Sequence, residues 1–377
     1  MVVEVARHEV VSTRIRAHQL DRPTGARAVR DAAVLDLGVQ DSGRDGASWA
    51  LANRGVPVGS AVELESSPEL ALVWTLRGAP HFYRRAELPD VLVATSPFSE
   101  ADAAKRVVGA DAPLKAAGIA TRAGLAEVAR LLREVVAEPL VKGEASGRLS
   151  AVLDEPYLRT CVPCGVVHVW EMTFRLAALY AGIELTPGTS PPVLRRIPGW
   201  ALPIGPADDP LAAPDRLQVV RAYLRLLGPA TPKDVATFLD APVAEVKRHW
   251  PQDAEPVTVE GRAAWRLPEQ PADEPAAGPP LVRLLGPFDL LLQGRDRDLL
   301  VPDRTRHKVL WPTLGRPGAV LVGTDIVGTW RPRAAARRLT VVLDLWEPVT
   351  STVRRRLDEE AERLAAHRGL TLAAVEG

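Results

Sequence analysis

The clearest alternation of apolar and polar positions runs over residues 221–267, RAYLRLLGPATPKDVATFLDAPVAEVKRHWPQDAEPVTVEGRAAWRL. Val220, Tyr223, Leu224 and Leu227 recur at helical spacing and form one apolar face, which stops at Gly228 and Pro229. A second helix is predicted to begin with Thr231 as N-cap and Pro232 in the first turn, with Val235, Ala236 and Leu239 as its stripe. Beyond Ala241 and Pro242, a third helix turns Val243, Val246 and Trp250 inward and Glu245, Lys247, Arg248 and His249 outward. Two short strands follow around the turn signal Glu260 and Gly261. Helix, helix, helix and hairpin is the order of a winged helix, whose third helix enters the major groove when the module binds DNA. Here that helix offers only Lys247, Arg248 and His249 for phosphates, so the unit is read first as a packed domain within a larger assembly.

The same pattern recurs upstream. A helix is predicted from about Thr13, containing Ile15 and Leu20, then one over residues 28–35 and one over residues 48–55, ended by Gly55. VELES (62–66) and ALVWTLRG (71–78) read as the two strands of a wing. Residues 99–200 are more helical, with LAEVARLLREVVAEPL and MTFRLAALYAGIEL as amphipathic stretches. PEQPADEPAAGPP is rich in Pro and acid and reads as a linker. Short apolar runs split by Gly and Pro then suit a small barrel or sheet, and a charged amphipathic helix occupies residues 351–367. The expected fold is α+β, with tandem winged-helix domains and a small C-terminal β-barrel-like domain. Its expected divisions are a winged helix over 8–95, a winged-helix-like helical domain over 96–205, a winged helix over 210–267, a linker over 268–280, a β-domain over 281–350, and a helix and tail over 351–377.

Composition adds three constraints. An apolar content of 46 % over 377 residues suffices for ordinary packed cores. No run of about 18 uncharged apolar residues occurs and charges interrupt the N-terminal segment, so neither a membrane span nor a secretory signal is expected, and a cytoplasmic location follows. The 47 basic and 47 acidic residues cancel, so any anion-binding surface must be local. Between residues 295 and 338 there are ten Lys or Arg against four Asp or Glu. Arg295, Arg297, Arg304, Arg306, Lys308, Arg331 and Arg333 are therefore candidate phosphate contacts, with His307 among them.

The only cysteines, Cys161 and Cys164, open the spacing C-x2-C-x3-H-x2-E with His168 and Glu171. If residues from about 166 are helical, His168 and Glu171 share a face and four zinc ligands converge. A redox pair and inert packing are the other readings.

Taken together, LDLGVQDSGRDGASWALANRG, LVWTLRGAPHFY, RAYLRLLGPATPKDVATFL, LLGPFDLLLQGRDR and VGTWRPR make the chain resemble the AlkZ/YcaQ-like winged-helix DNA glycosylase family over most of its length. The resemblance implies tandem winged helices forming a DNA-sized channel, a C-terminal β-domain lining it, and damaged double-stranded DNA as partner. It implies no cofactor, no membrane and no obligate protein partner. Active members carry Gln-x-Gln or Gln-x-Asp, implied to position the water that attacks the sugar. Here the matching residues are Gln40, Asp41 and Ser42, so Ser42 replaces the second acceptor and Asp41 is the neighbouring carboxylate. Arg54 stands at the family's downstream distance, and Arg77 and His81 fall in the RGAPH stretch; all three are candidate DNA contacts, with His81 read as a packing residue rather than an acid. The expectation is a monofunctional glycosylase acting on alkylated or crosslinked bases, since no lysine lies in the motif to form a Schiff base. A non-catalytic winged-helix DNA-binding protein, acting as a regulator or sequestering lesions, is the alternative, and a metal-dependent or redox-sensing binder a third.

Overall fold

The computed structural model describes residues 3–22, 25, 27–43, 45–57, 64, 67–162, 165–268 and 280–377. Residues 269–279, nearly all of the expected linker, lie outside the described residues.

One strand order recurs three times, in which a short strand lies against the second strand of a hairpin whose first strand lies beyond it. Val39–Gln40 lies on Pro80–Arg84, which pairs with Leu70–Trp74. Leu140–Val141 lies on Val193–Arg196, which pairs with Ile183–Thr186. Ala230 bridges to Trp265 in Arg262–Arg266, which pairs with Glu255–Val259. The first two sets join edge to edge through Leu72 and Leu185 into one six-stranded sheet. Val3–Val5 adds itself in parallel to the third hairpin, so the N-terminus docks beside a segment about 250 residues away.

The hairpin expected at 62–66 and 71–78 is displaced. Its strands are Leu70–Trp74 and Pro80–Arg84, and Arg77 sits at φ +56 in the connection between them, while residues 62, 63, 65 and 66 lie outside the described residues. Alternation alone does not place a turn, and here two consecutive residues of the connection are left-handed, Arg77 and then Gly78 at φ +64. The helix expected near Thr13 spans Arg7–Ala17, the one over 28–35 is two 3-10 turns, Val29–Asp31 and Ala33–Asp36, and the third spans Gly46–Ala52.

The third unit starts where its sequence signals place it. Thr231 accepts from the Asp234 amide and the Asp234 carboxylate accepts from the Thr231 amide, a capping box at the head of Pro232–Leu239. Its next helix, Val243–Arg248, differs from expectation: Val243 is 39 % exposed and Glu245 only 5 %. The cause is tertiary. His249, just past the helix, stacks on Phe98 with ring centroids 4.4 Å apart, and Lys105 donates to the Ala241 carbonyl, which rolls the helix against the second unit.

The C-terminal β-domain is an open five-stranded sheet rather than a closed barrel, with Val282–Leu285 at one edge and Thr371–Glu376 at the other. Ser351–His367 covers one face through Val353, Leu357, Ala361 and Leu364. The same apolar cluster includes Trp49, whose indole N–H donates to the Leu284 carbonyl, so the helix Gly46–Ala52 is the joint between the two ends of the chain.

Candidate active site

Gln40 ends a two-residue strand whose position is set on both sides. Its register partner is His81, and the Asp41 amide donates to the Pro80 carbonyl at 2.9 Å. Before it, Gly38 adopts φ +84 with the Tyr83 ring against it; a β-carbon there would lie 2.5 Å from that ring, so only glycine fits. The Gln40 side-chain amide donates to Ser42 Oγ at 2.9 Å, which leaves its carbonyl oxygen Oε1 as the acceptor.

Gln40 lines a cleft together with Phe288 and four arginines, Arg77, Arg295, Arg297 and Arg316. Asp41 and Ser42 do not line it. The guanidinium groups of Arg77, Arg297 and Arg316 are held by something other than an acid, and Arg295 is anchored through its backbone. Arg77 donates to the Phe238 carbonyl at 2.6 Å and to Gln293 at 2.8 Å, and its guanidinium lies 4.6 Å from the Phe238 ring. Arg297 lies over Trp311 and Arg316 over Phe288, both at 4.8 Å. The Arg295 amide donates to the Tyr223 hydroxyl. The neighbouring acids are engaged elsewhere: Asp296 takes Arg14 and Asp298 takes Arg304. Among the described residues none of the four cleft arginines is paired with a carboxylate. Burial and the nearby Arg295 push Arg77 down to about 10, and burial with neighbouring arginines lowers Arg297 and Arg316 too. Four mutually repelling cations, with no acid in direct contact among the described residues, leave the cleft strongly positive.

Two expected DNA contacts are internal supports instead. Arg54 is fully buried and grips Asp289 with both terminal nitrogens at 2.8 Å, so it cannot reach a phosphate without leaving a buried carboxylate unpaired. It also donates to His18 Nδ1 at 3.0 Å, which fixes the tautomer whose Nε2–H donates to the Leu226 carbonyl. His81 is likewise buried. Its Nδ1 faces the Ala79 carbonyl at 2.9 Å and so carries the proton, and burial followed by the Arg77 charge pushes its pKa down to about 3. It is neutral at physiological pH and packs inward.

The remaining candidates are scattered. Lys247 and Lys308 are exposed, and Arg248 pairs with Glu245. Arg304 pairs with Asp298, while Arg306 lies 3.5 Å from Asp303 and over Trp346. Arg331 donates to the Gly315 carbonyl and Arg333 pairs with Glu376, both on a hairpin arm whose residues 331–338 are all exposed. Of the C-terminal basic residues singled out in the sequence, only Arg295 and Arg297 line Gln40's cleft. Arg316, Phe288 and Gln293 were not singled out in the sequence. Arg316 had a signal, membership of the basic surplus, but nothing local distinguishes it from Arg304.

The helical reading of the cysteine motif is overturned. Residues Val166–Val169 form a strand paired with Leu158–Cys161, so His168 and Glu171 do not share a helix face. Glu171 opens the following helix and its carboxylate takes Lys142 and Arg175, each at 2.6 Å. Cys164 lies outside the described residues.

None of the curated proteins compared matches the chain. Among solved structures, the DNA glycosylase AlkZ of Streptomyces sahachiroi is similar in fold, with a TM-score of 0.72 over 99 % of this chain and 100 % of that one, at 19 % identity. A model of the family described as DNA glycosylase AlkZ-like matches residues 34–367, a span that holds Gln40, all four cleft arginines and most of the C-terminal sheet. The chain belongs to the AlkZ-like DNA glycosylase family.

Proposed function

We propose that this protein is a monofunctional DNA glycosylase that releases alkylated or crosslinked bases from duplex DNA, with Gln40 orienting the attacking water. The observation that carries the reading is the convergence of four arginines, none paired with an acid among the described residues, on the cleft lined by Gln40. The three helix and hairpin units are read as winged helices that shape a DNA channel, and the C-terminal sheet supplies three of the four arginines from its strand-connecting segments.

Water attack at the sugar C1′ breaks the bond to the base, and positive charge develops on the sugar as it breaks. A cleft of four arginines alone would oppose that charge. Phosphates of the bound strand reverse the balance: the arginines draw the phosphodiesters beside the lesion into the cleft, and these anions stabilise the cationic sugar. Gln40 Oε1 accepts from the water while Nε2 is anchored on Ser42, so Ser42 positions Gln40 rather than touching the water. A cationic N7-alkylated purine leaves as a neutral base by keeping the bond pair, so a neutral, inward-turned His81 is no handicap. Among the described residues no lysine lines the cleft to form a Schiff base.

The replacement of a second acceptor by Ser42, with Asp41 outside the lining, favours a second reading in which the chain binds DNA without cutting the glycosidic bond. Base release from duplexes carrying N7-alkylguanine or an interstrand crosslink separates the two. Release by the wild type that is lost in Gln40→Ala, with duplex affinity kept, supports the glycosylase. Tight binding with no release from any adduct supports the binder.

A further inference from the structure

Four of the five phenylalanines, Phe82, Phe98, Phe174 and Phe238, are buried in the main apolar core. Phe288 belongs to none of the apolar clusters among the described residues and is only partly buried. It lines the arginine cleft instead. An aromatic ring left partly in water gives up stabilisation that a ligand covering it would recover. Its placement is fixed. The Asp289 amide donates to the Gly286 carbonyl at 3.1 Å, closing a tight turn with Pro287 and Phe288 at its two central positions. Asp289 is anchored by its buried ion pair with Arg54, and the Phe288 carbonyl accepts from the Gln293 side-chain amide at 2.8 Å. The Arg316 guanidinium lies over the ring, 4.8 Å from its centroid. Among the described residues Arg316 has neither an acid nor a hydrogen-bond partner, and its Nε is buried and unpaired. A guanidinium held by an aromatic ring rather than by a carboxylate keeps its N–H donors available.

An aromatic surface beside unsatisfied donors fits a nucleobase, which has a π-face to stack and acceptors along its edge. A phosphate would satisfy the arginine but leave the ring in water. In an intact duplex every base is already paired and stacked, whereas at a damaged step a base that has lost its partner costs least to unstack. We propose that Phe288, with Arg316, is a stacking site for an unpaired nucleobase at the lesion, by which the cleft tells damaged from intact duplex. This site requires that DNA occupy the cleft, as in the proposed function, but not that the glycosidic bond be cut there.

The test uses the full chain and two duplexes of one sequence, one intact and one carrying a tetrahydrofuran abasic analogue opposite 2-aminopurine, whose fluorescence is quenched by stacked neighbouring bases. The analogue has no base to release, so the readout does not depend on catalysis. The expected result is an affinity for the abasic duplex at least about fivefold above that for the intact one, with a rise in 2-aminopurine emission as that base leaves its neighbours. Phe288→Ala should bring the two affinities together and abolish the rise while keeping the native circular dichroism spectrum. Phe288→Tyr, which keeps the ring, should restore both. Equal affinities or no rise in the wild type, or a preference that survives in Phe288→Ala, overturns the stacking site, and base release from a true lesion alongside any of these leaves the glycosylase reading standing. Discrimination without release from any adduct supports the stacking site and overturns the glycosylase, and no binding to either duplex overturns both.

Discussion

Arg54 and Asp289, 235 positions apart, form a two-pronged ion pair at 2.8 Å in which neither side chain reaches solvent. Asp289 also caps the turn Leu290–Gln293 by accepting from the Leu291 amide, and Arg54 donates to the Ala50 carbonyl and to His18. The pair therefore ties the end of Gly46–Ala52, the N-terminal helix and the segment that carries Phe288 and Gln293 into one support behind the cleft. Replacing Arg54 by Met alone strands a buried carboxylate and should cost about 3–5 kcal/mol. Adding Asp289→Leu should recover part of that loss. Urea unfolding of the single and double variants reads both, and an unchanged midpoint in the single variant would show that the pair contributes nothing.

Acid should unfold the protein through its buried histidines. Burial first, then Arg54 for His18 and Arg77 for His81, pushes both down to about 3 from the ordinary 6.5. Between those values the unfolded chain binds more protons than the folded one, so stability rises with pH across that window and is full above about 6.5. Asp289, lowered by Arg54 against the effect of its burial, adds a further loss only once the pH falls below its ordinary 3.8. Denaturation midpoints measured from pH about 8 to about 4 should fall continuously below pH about 6.5. A flat profile down to pH about 4 would contradict the assignment of both histidines as neutral.

The basic set should divide in two. Arg295, Arg297 and Arg316 share Gln40's cleft and are paired with no acid among the described residues, whereas Arg304 is paired with Asp298 and Arg306 lies near Asp303. Every phosphate that is no longer neutralised should lower the slope of log affinity against log salt by about 0.9. The triple alanine variant of the cleft arginines should therefore flatten the salt dependence of duplex binding. The Arg304→Ala, Arg306→Ala pair should leave it nearly unchanged. Equal effects in the two variants would move the DNA off the cleft.

Ser42 and Asp41 should differ in the base-release assay. Ser42 Oγ anchors the Gln40 amide, so Ser42→Ala frees that side chain and should lower release by roughly ten- to a hundredfold. Asp41 lies outside the lining, and Asp41→Asn should leave the rate within a few-fold of wild type. A collapse of activity in Asp41→Asn would make the carboxylate, not the glutamine, the group that holds the water.

Much of the local structure was legible from residue order. The capping box at Thr231 and Asp234 and the break at Gly228 and Pro229 follow from interactions made within a few residues, where type and spacing suffice. The family resemblance came from the same kind of information, short strings that keep their order along the chain. What only the tertiary structure decided are contacts between distant segments. Nothing in the string RDRD separates Arg295 and Arg297, which face the cleft, from Asp296 and Asp298, which face Arg14 and Arg304. Nothing near Arg54 announces a carboxylate 235 positions on, and that partner is what turns an expected DNA contact into an internal support. His168 was expected on a helix and lies on a strand, because the hairpin pairing of Arg159 with His168 overrides the weak local preference of a short apolar run. A side chain's type sets what chemistry it can do, while its partners, brought together by burial of the core, decide whether it faces an open cleft or a buried acid.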